Sequence, residues 1–394
     1  METTAAFTGL RCPACETIHD PETVTHRCPD CGGVLEAHYE QSGLDRAALT
    51  ARRFGGVDRY AEFLPFPEGT LVTAGEGGTP LVEAPALAER LGVERVLIKD
   101  EGQNPTGSIA DREAAVAVAA GAVHDAETVA LPSTGDSGQA VSAYAARAGL
   151  DAEVFVPSRA IFDAKAMINV HGGEMSVVDG RFGDAVATFG DAIDEEPRYS
   201  LAPFETPYRQ EGVKTAYYEI VEQLGWNGPD HVVYPTGTGL GPVGVARAAR
   251  EFEALGWTDG MPAVHAVQAE GCAPIVEAFK SGDTEQASVS HPDTICGGIE
   301  IANPPAPGHV LDAVVDSGGT AIATSDAEIL EAAVELAQSA AVEVGAAGGA
   351  AASAAMALAE RDVFAAGETV VLVNPAAGNK EADVLRSHLM SKGV

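Results

Sequence analysis

Lysine is scarce in this chain of 394 residues, where it supplies only six of the 24 basic side chains. Acidic residues number 58, so the formal net charge is −34. Such a charge repels nucleic acids and anionic membranes and argues against both as partners. Because the acidic residues are spread along the whole chain, we expect a solvated acidic surface suited to a high-salt cytoplasm, where counter-ions screen the repulsion.

Long apolar runs are absent as well. No stretch approaches the roughly 18 apolar residues of a membrane span. The first residues, 1–7, do not join a basic segment to an apolar one, so we expect no secretory signal and a cytoplasmic protein. A hydrophobic content of 46% over this length predicts a globular protein of two or three domains.

Cysteine occurs six times, and four of the six cysteines form two Cys-x-x-Cys pairs separated by twelve residues. These are Cys12, Cys15, Cys28 and Cys31. Four thiolates on two tight turns suit tetrahedral zinc, so residues 1–40 are predicted to form a zinc ribbon. Disulfides are the alternative, but nothing indicates an oxidising compartment. His26 lies between the pairs and is expected at the surface.

The rest of the chain alternates short β-rich runs with alanine-rich helical stretches, after a polar linker at 41–70. Strands are predicted at 96–99, 128–131, 153–156, 231–234, 263–268 and 369–373, and helices at 138–148 and 244–255. This alternation favours an α/β fold with parallel strands between layers of helices. The simple segment 340–358 is predicted to be helical, weakened or interrupted by Gly345, Gly348 and Gly349.

Three glycine-rich turns follow predicted strands. They are Pro105–Ser108, Ser133–Gly138 and Pro235–Pro242. Backbone amides at such turns, together with the positive end of a helix, can hold a phosphate or carboxylate. A single turn of this kind could serve only chain reversal, but three at the ends of strands favour ligand binding. Gly239–Gly244 also matches Gly-x-Gly-x-x-Gly, a weak indication of a dinucleotide site.

The segment Asn104–Arg112 resembles the segment Asn-Pro-Thr-Gly-Ser-Phe-Lys-Asp-Arg of threonine synthases. Further similarities follow in the family order. They are Glu76–Leu81, Ser133–Asp136, Glu211–Thr215, Pro235–Gly239, Val267–Pro274 and Gly298–Pro304. The four-cysteine ribbon is similar to that of archaeal members. On these motifs the chain is identified as a member of the threonine synthase family, over nearly its whole length.

The resemblance implies the fold-type II architecture of pyridoxal phosphate enzymes. Two three-layer αβα domains then enclose a cleft, with a large domain at 71–112 and 206–394 and a small domain at 113–205. Pyridoxal phosphate is the implied cofactor, and a homodimer the implied assembly. The cofactor-binding residues implied are Asp136, Gly237, Thr238, Gly239, Leu240 and Gly241. Those expected to bind a small phosphorylated or amino-acid substrate are Ser108, Ser133, Thr134, Gly135 and Ser137.

Ala110 stands where the family has the lysine that forms a Schiff base with the cofactor. An alanine methyl group cannot form one, so we expect no certain catalytic residue and a cofactor bound non-covalently at most. Other departures accompany it. Ile109, Glu113, Asp136, Glu300, Pro375 and Ala377 each replace a different family residue. A carboxylate at Asp136 would repel the cofactor's phenolate oxygen, which the family's asparagine can contact.

The sequence therefore predicts a threonine synthase-like protein with impaired or altered chemistry. The family reaction converts O-phosphohomoserine and water to threonine and phosphate. One alternative is a non-catalytic, phosphate-ligand-binding partner that pairs with an active paralogue as a heterodimer. Another is a conventional lyase that uses a different lysine, which would need a desolvated amine at the cofactor aldehyde.

Overall fold

The chain divides into two units, each built from two segments of sequence. Unit 1 comprises Met1–Gly78 and Ala110–Thr215, and unit 2 comprises Thr79–Ile109 and Ala216–Val394. The computed structural model describes residues 1–40, 44–195, 197–283 and 287–392. The predicted linker starts at 41–43, which lie outside the described residues, as do 284–286 and 393–394 of the predicted large domain. The domain boundaries stated above remain predictions.

Strands and helices alternate through most of the chain. The strands are β1 (Phe7–Arg11), β2 (Ile18–His19), β3 (Glu36–Tyr39), β4 (Leu81–Glu83), β5 (Arg95–Asp100), β6 (Thr128–Pro132), β7 (Asp151–Pro157), β8 (Glu174–Val178), β9 (Tyr199–Ser200), β10 (His231–Pro235), β11 (Ala263–Ala269), β12 (Ala321–Thr324) and β13 (Thr369–Asn374). All six strands predicted from the sequence are confirmed, within β5, β6, β7, β10, β11 and β13.

The helices are α1 (Arg46–Ala51), α2 (Pro85–Leu91), α3 (Ala110–Val123), α4 (Asp136–Ala148), α5 (Phe162–Val170), α6 (Phe182–Glu195), α7 (Tyr208–Gln223), α8 (Leu240–Ala254), α9 (Pro274–Ser281), α10 (Pro307–Asp316), α11 (Asp326–Ala340), α12 (Ala346–Ala359) and α13 (Ala382–Ser391). Short 3₁₀ turns lie at Val57–Phe63, Glu101–Gln103, Gly297–Ile299 and Gly378–Glu381. The helices predicted at 138–148 and 244–255 are confirmed as α4 and α8. No helix among the described residues is long and apolar enough to span a membrane.

Unit 1 contains two sheets. An antiparallel sheet of order β2-β1-β3 comes from the cysteine-rich segment, and a parallel sheet has the order β8-β7-β6-β9. In β6, Val129 and Leu131 pack in one hydrophobic core with α3 and α4, whereas Ala130 packs in another with α6. Successive side chains of a strand point to opposite faces, so helices cover both faces of this sheet.

Unit 2 has a single sheet of order β12-β11-β10-β13-β5-β4, in which only β4 runs antiparallel to its neighbour. Ile98, Val233 and Leu372 pack in one core with α11 and α12, while α8 and α10 contact β11. Burial of the parallel strands on both faces explains why their sequences are continuous apolar runs, without the polar alternation of a half-exposed sheet.

The alanine-rich segment forms two helices, which confirms the predicted interruption at Gly345. Helix α11 ends at Ala340, residues 341–345 are not helical, and α12 starts at Ala346. Ala341 has a φ of 54°, which turns the chain out of the helix. Gly348 and Gly349 lie inside α12 without interrupting it. A β carbon on Gly348 would come within 2.5 Å of Asn374 Oδ1, so this glycine permits close packing of the helix.

Candidate functional site

The chain just before α3 pairs with the chain just after β13, within unit 2. Ser108 and Ala376 form an antiparallel bridge, and the amide of Ile109 donates to the carbonyl of Pro375 at 2.8 Å. Ser108 is buried, and its hydroxyl has no hydrogen-bond partner among the described residues. The structure thus brings the predicted substrate-binding residue Ser108 beside one of the segments in which the chain departs from its family.

Ala110 begins α3 in unit 1 and is buried. Its methyl group offers no amine to a ligand. The first turn of α3 is joined to α7 by a hydrogen bond, since Arg112 donates to the Thr215 hydroxyl at 3.1 Å. A β carbon on Gly212 would lie 2.0 Å from the Arg112 carbonyl oxygen, so α3 and α7 meet backbone to backbone. The start of α3 is therefore rigidly held.

The turn before α4 is closed by one of its own hydroxyls. Ser133 Oγ accepts hydrogen bonds from the amides of Gly135 at 2.9 Å and Gly138 at 2.8 Å. Gly135 has a φ of 144°, which requires glycine. Thr134 and Ser137 are partly exposed. Of the predicted substrate-binding residues here, Ser133 and Gly135 shape the turn, while the hydroxyls of Thr134 and Ser137 can reach solvent.

The turn before α8, in unit 2, also places a glycine of positive φ before its helix. Gly239 precedes the helix with a φ of 97° and provides no capping side chain. Gly237 and Thr238 are partly exposed, whereas Leu240 and Gly241 are buried. The first amides of a helix without a side-chain cap attract an anion, and the helix dipole adds to that attraction. The predicted phosphate cup therefore has the backbone geometry of an anion site.

Charged residues distinguish the two turns. Asp136 is the first residue of α4, where a carboxylate is favoured by the helix dipole and competes with any external anion. Glu300, in unit 2, accepts a hydrogen bond from the amide of Thr294 at 3.4 Å, so it folds back onto its own loop. Pro375 contributes only its carbonyl group, to Ile109.

Two polar clusters in unit 1 were missed from the sequence. Tyr144 donates to Glu76 Oε2 at 2.8 Å, and burial raises the pKa of both residues. The other oxygen, Glu76 Oε1, is buried, and the part of the chain that the structure describes provides no hydrogen-bond partner for it. The second cluster joins Arg209 to Glu113 and Ser137. The sequence marks Glu76, Glu113 and Ser137 separately, but it does not predict these contacts.

The four ribbon cysteines come together as predicted. Cys12 Sγ lies 3.5 Å from Cys31 Sγ, Cys15 Sγ lies 3.7 Å from Cys28 Sγ, and all four sulfurs are within 4.8 Å of one another. All four are free thiols. Contact with the Thr17 hydroxyl lowers the pKa of Cys15 to about 6.

Two histidines of the ribbon differ from expectation. His26 is not a surface residue, because it is half-buried and its Nε2 lies 3.2 Å from the carbonyl oxygen of Ser200. His19 was not singled out, yet its Nε2 lies 3.3 Å from Cys28 Sγ. Pairing of β2 with β1 brings His19 to the cysteines, and the spacing of residues along the chain does not reveal this.

Known proteins resemble the chain over most of its length. A family model described as "Pyridoxal-phosphate dependent enzyme" matches residues 72–376. The threonine synthase of Methanosarcina acetivorans is 36% identical over 92% of this chain and 90% of its own length. The chain therefore belongs to the threonine synthase family of pyridoxal-phosphate-dependent enzymes. The threonine synthase of Methanocaldococcus jannaschii is 34% identical over 95% of this chain and 93% of that relative.

Solved structures agree on the fold of this family member. Maize serine racemase superposes with a TM-score of 0.68 at 18% identity, covering 80% of this chain and 94% of the racemase. Diaminopropionate ammonia lyase from Escherichia coli gives a TM-score of 0.68 at 18% identity, covering 81% and 89%. The predicted α/β architecture of fold-type II is therefore confirmed.

The residues of this family member fit one end of pyridoxal phosphate and not the other. The uncapped first turn of α8, with Gly237 and Thr238 partly exposed, fits a phosphate group. Ala110 cannot bond the aldehyde. Among the predicted site residues, Ser108 and the α8 turn belong to unit 2, and Ala110 and the α4 turn belong to unit 1.

Proposed function

We propose that this chain is a threonine synthase-like protein that holds a phosphorylated ligand of the pyridoxal phosphate class without a covalent bond. In this proposal the conversion of O-phosphohomoserine and water to threonine and phosphate is lost or strongly impaired. The observation that carries the proposal is the buried methyl group of Ala110 in the first turn of α3. When bound, a cofactor of this class would withdraw electrons from an amino-acid substrate only through a covalent bond to that substrate.

The positions of the six lysines bear on whether one of them could replace the lysine that is missing at position 110. Lys99 pairs with Glu219 and Lys214 with Glu211, both fully buried, and Lys165 donates to the Ser158 carbonyl. Lys280 and Lys392 form ion pairs with carboxylates on exposed surfaces. Lys380 Cε would lie 3.1 Å from a β carbon on Gly107. Lys380 therefore approaches the segment before Ala110, and it is the lysine to examine first for a covalent adduct.

The test is a titration with pyridoxal phosphate followed by borohydride reduction and peptide mapping. For the wild-type protein we expect cofactor that is removed by dialysis, no adduct on any peptide, and no phosphate released from O-phosphohomoserine. The Ala110→Lys variant should form a reducible adduct at position 110. Ala110→Met, which buries a chain of similar length without an amine, is its control. A stoichiometric adduct on Lys380 of the wild type would contradict the proposal and identify an active lyase.

We also propose that the ribbon cysteines hold a structural zinc ion. A tetrahedral ion with bonds of about 2.3 Å spaces its sulfur ligands roughly 3.8 Å apart. The distances of 3.5 Å and 3.7 Å between sulfur pairs support this arrangement. A disulfide needs about 2.05 Å between sulfurs, so the thiols as placed do not form one.

A further inference from the structure

His19 is a mostly buried histidine whose ring reaches the sulfur cluster of the ribbon. It lies on β2, directly opposite Leu10 of β1, and its side chain is 9% exposed. Residues directly opposite each other on paired strands point to the same face of a sheet, so His19 shares a face with the fully buried Leu10. Its Nε2 lies 3.3 Å from Cys28 Sγ and 4.0 Å from a carboxylate oxygen of the exposed Asp30.

The ring of His19 lies outside the four-sulfur shell proposed for zinc. The four sulfurs form one close group, and among the described residues His19 joins a second group with Cys28 and Asp30. Four thiolates complete the tetrahedral shell of a structural zinc ion. The histidine nitrogen therefore contacts one ligand of the ion from outside, and it can act on the ion through Cys28.

The direction of the hydrogen bond follows from the two neighbours of Nε2. A metal-bound thiolate has no proton, so it accepts hydrogen bonds, and an ionised carboxylate such as that of Asp30 also accepts them. With metal bound, Nε2 therefore carries the ring proton and His19 donates to Cys28 Sγ. Histidines beside metal sites have their tautomer fixed by such contacts.

The ribbon has few groups that offset the charge of four thiolates. Four thiolates exceed the charge of one zinc ion by two, and residues 1–40 contain two arginines and no lysine. One of the two, Arg11, lies 3.8 Å from the carboxylate of Glu16. Cys28 is 2% exposed, so its sulfur is largely removed from water. A buried anion needs hydrogen bonds in place of the lost water, and His19 provides one.

We propose that His19 is a positioning residue of the zinc site, which donates a hydrogen bond to the Cys28 thiolate and thereby helps the ribbon to retain its ion. The inference rests on the structural zinc ion proposed above. Outer partners of metal ligands orient the ligand and tune its charge, and their loss typically lowers metal affinity by about ten- to a hundredfold. His19 acts in this way through Cys28, without touching the metal.

The test measures the affinity of the full-length protein for Co²⁺, by competition with a chelator of known affinity. Cobalt in a thiolate site gives a charge-transfer band whose intensity reports the number of sulfur ligands. His19→Leu should lower the affinity about tenfold or more and leave the band at saturation unchanged. His38→Leu is the matched control, because it removes a histidine from β3 of the same sheet that belongs to neither group. It should bind Co²⁺ as the wild type does.

A pair of amide variants separates hydrogen bonding from folding. His19→Gln places an amide nitrogen near the position of Nε2 and should restore most of the affinity. His19→Asn is one methylene shorter, so its amide does not reach Cys28 Sγ and the affinity should fall as in His19→Leu. If His19→Leu does not fold, the comparison of Gln with Asn still decides. Equal losses in these two variants would assign His19 a merely structural role and overturn the proposal.

The remaining outcomes distinguish the role of His19 from the zinc site itself. A wild type that binds no Co²⁺ would overturn the zinc site and this role together. A wild type that binds Co²⁺, with the same affinity in His19→Leu, would overturn the role of His19 alone. A changed charge-transfer band in saturated His19→Leu would make His19 a ligand of the ion, which would also overturn the proposal.

Discussion

The turns before α4 and α8 have similar backbone conformations and differ in charge. Each follows a buried parallel strand and places a glycine of positive φ before the helix, Gly135 in unit 1 and Gly239 in unit 2. Around α4 stand the carboxylates of Asp136 and Glu113, whereas residues 235–244 contain no acidic side chain. The α8 turn therefore keeps the electrostatics of an anion site, whereas carboxylates lie beside the α4 turn.

The comparison of the two turns shows which residue types indicate that a turn binds a ligand. A β carbon on Gly239 would lie 2.2 Å from Val310 Cγ2, and one on Gly241 would lie 2.1 Å from the Tyr234 ring. A β carbon on Gly138 would lie 2.6 Å from Val154 Cγ1. These glycines are required by packing in both turns, so their presence does not by itself indicate a ligand. The charged residues beside them carry that information.

The largest expected effect comes from removing the proposed zinc ion from the ribbon, because its loss should disturb one turn and spare the other. Leu10 and Cys28 of the ribbon share a hydrophobic core with Val141 and Tyr144 of α4. Zinc contributes on the order of 10 kcal/mol to folding in small zinc domains. A strong chelator should therefore speed amide hydrogen exchange in α4 far more than in α8.

The matched variants for this experiment are Cys28→Ser and Cys272→Ser. Both remove a buried thiol, the first from the ribbon and the second from unit 2. Cys28→Ser should reproduce the effect of the chelator and make the protein insensitive to it, and Cys272→Ser should remain sensitive. Equal loss of protection in α4 and α8 would show that the ribbon does not support unit 1 selectively.

A smaller effect should follow from exchanging the charges of the two turns. Thr238→Asp puts a carboxylate before α8, and Asp136→Asn removes one from α4. Charges at a helix N-terminus contribute about 1–2 kcal/mol, so phosphate affinity at α8 should fall about five- to thirtyfold in Thr238→Asp. Asp136→Asn should not weaken phosphate binding. Titration at constant ionic strength measures both.

The neutral variant Thr238→Asn controls for the shape of the new side chain. It should bind phosphate nearly as the wild type does, because an amide adds no charge to the turn. If Thr238→Asn loses as much phosphate affinity as Thr238→Asp, the shape of the α8 turn decides whether phosphate binds. The difference in charge between the two turns would then not explain phosphate binding.

The sequence was sufficient for what depends on neighbouring residues. Buried parallel strands are short apolar runs, so all six predicted strands were found, and the cysteine spacing predicted the thiol cluster. The sequence predicted the interruption at Gly345, but not that the helix ends before Ala341, since alanine favours helix and tertiary contacts decide where a helix ends. Gly348 and Gly349 were predicted, together with Gly345, to weaken or interrupt the helix, yet they lie inside α12.

The polar clusters could not be predicted, because their partners are far apart in the chain. Glu113 and Arg209 are separated by 96 residues, and Glu76 and Tyr144 by 68. Each is a charged or hydroxyl residue that an isolated sequence would place at the surface. The family resemblance marked Glu113 as unusual, but only the fold of α3 against α7 shows what its carboxylate meets.

The two units should also differ, more modestly, in their response to acid. In unit 2, burial lowers the pKa of His265 to about 3, and a hydrogen bond from the Ala365 amide lowers the pKa of Glu368. Both shifts make the folded state lose stability as pH falls. In unit 1, burial lowers the pKa of His26 and His124 but raises that of Glu76, so the shifts oppose one another.

The sign for His265 follows from proton binding. An unfolded histidine takes up a proton below pH 6.5, whereas folded His265 stays neutral down to about pH 3. The unfolded state therefore binds more protons in this window, and the stability of unit 2 should fall by up to about 1.4 kcal/mol per pH unit on acidification. Hydrogen exchange in β10 and β11, compared with β6 and β7 between pH 6.5 and 4.5, measures the difference. His265→Gln, which cannot take up that proton, should flatten the slope in unit 2 alone; an unchanged slope would assign the acid response to other groups.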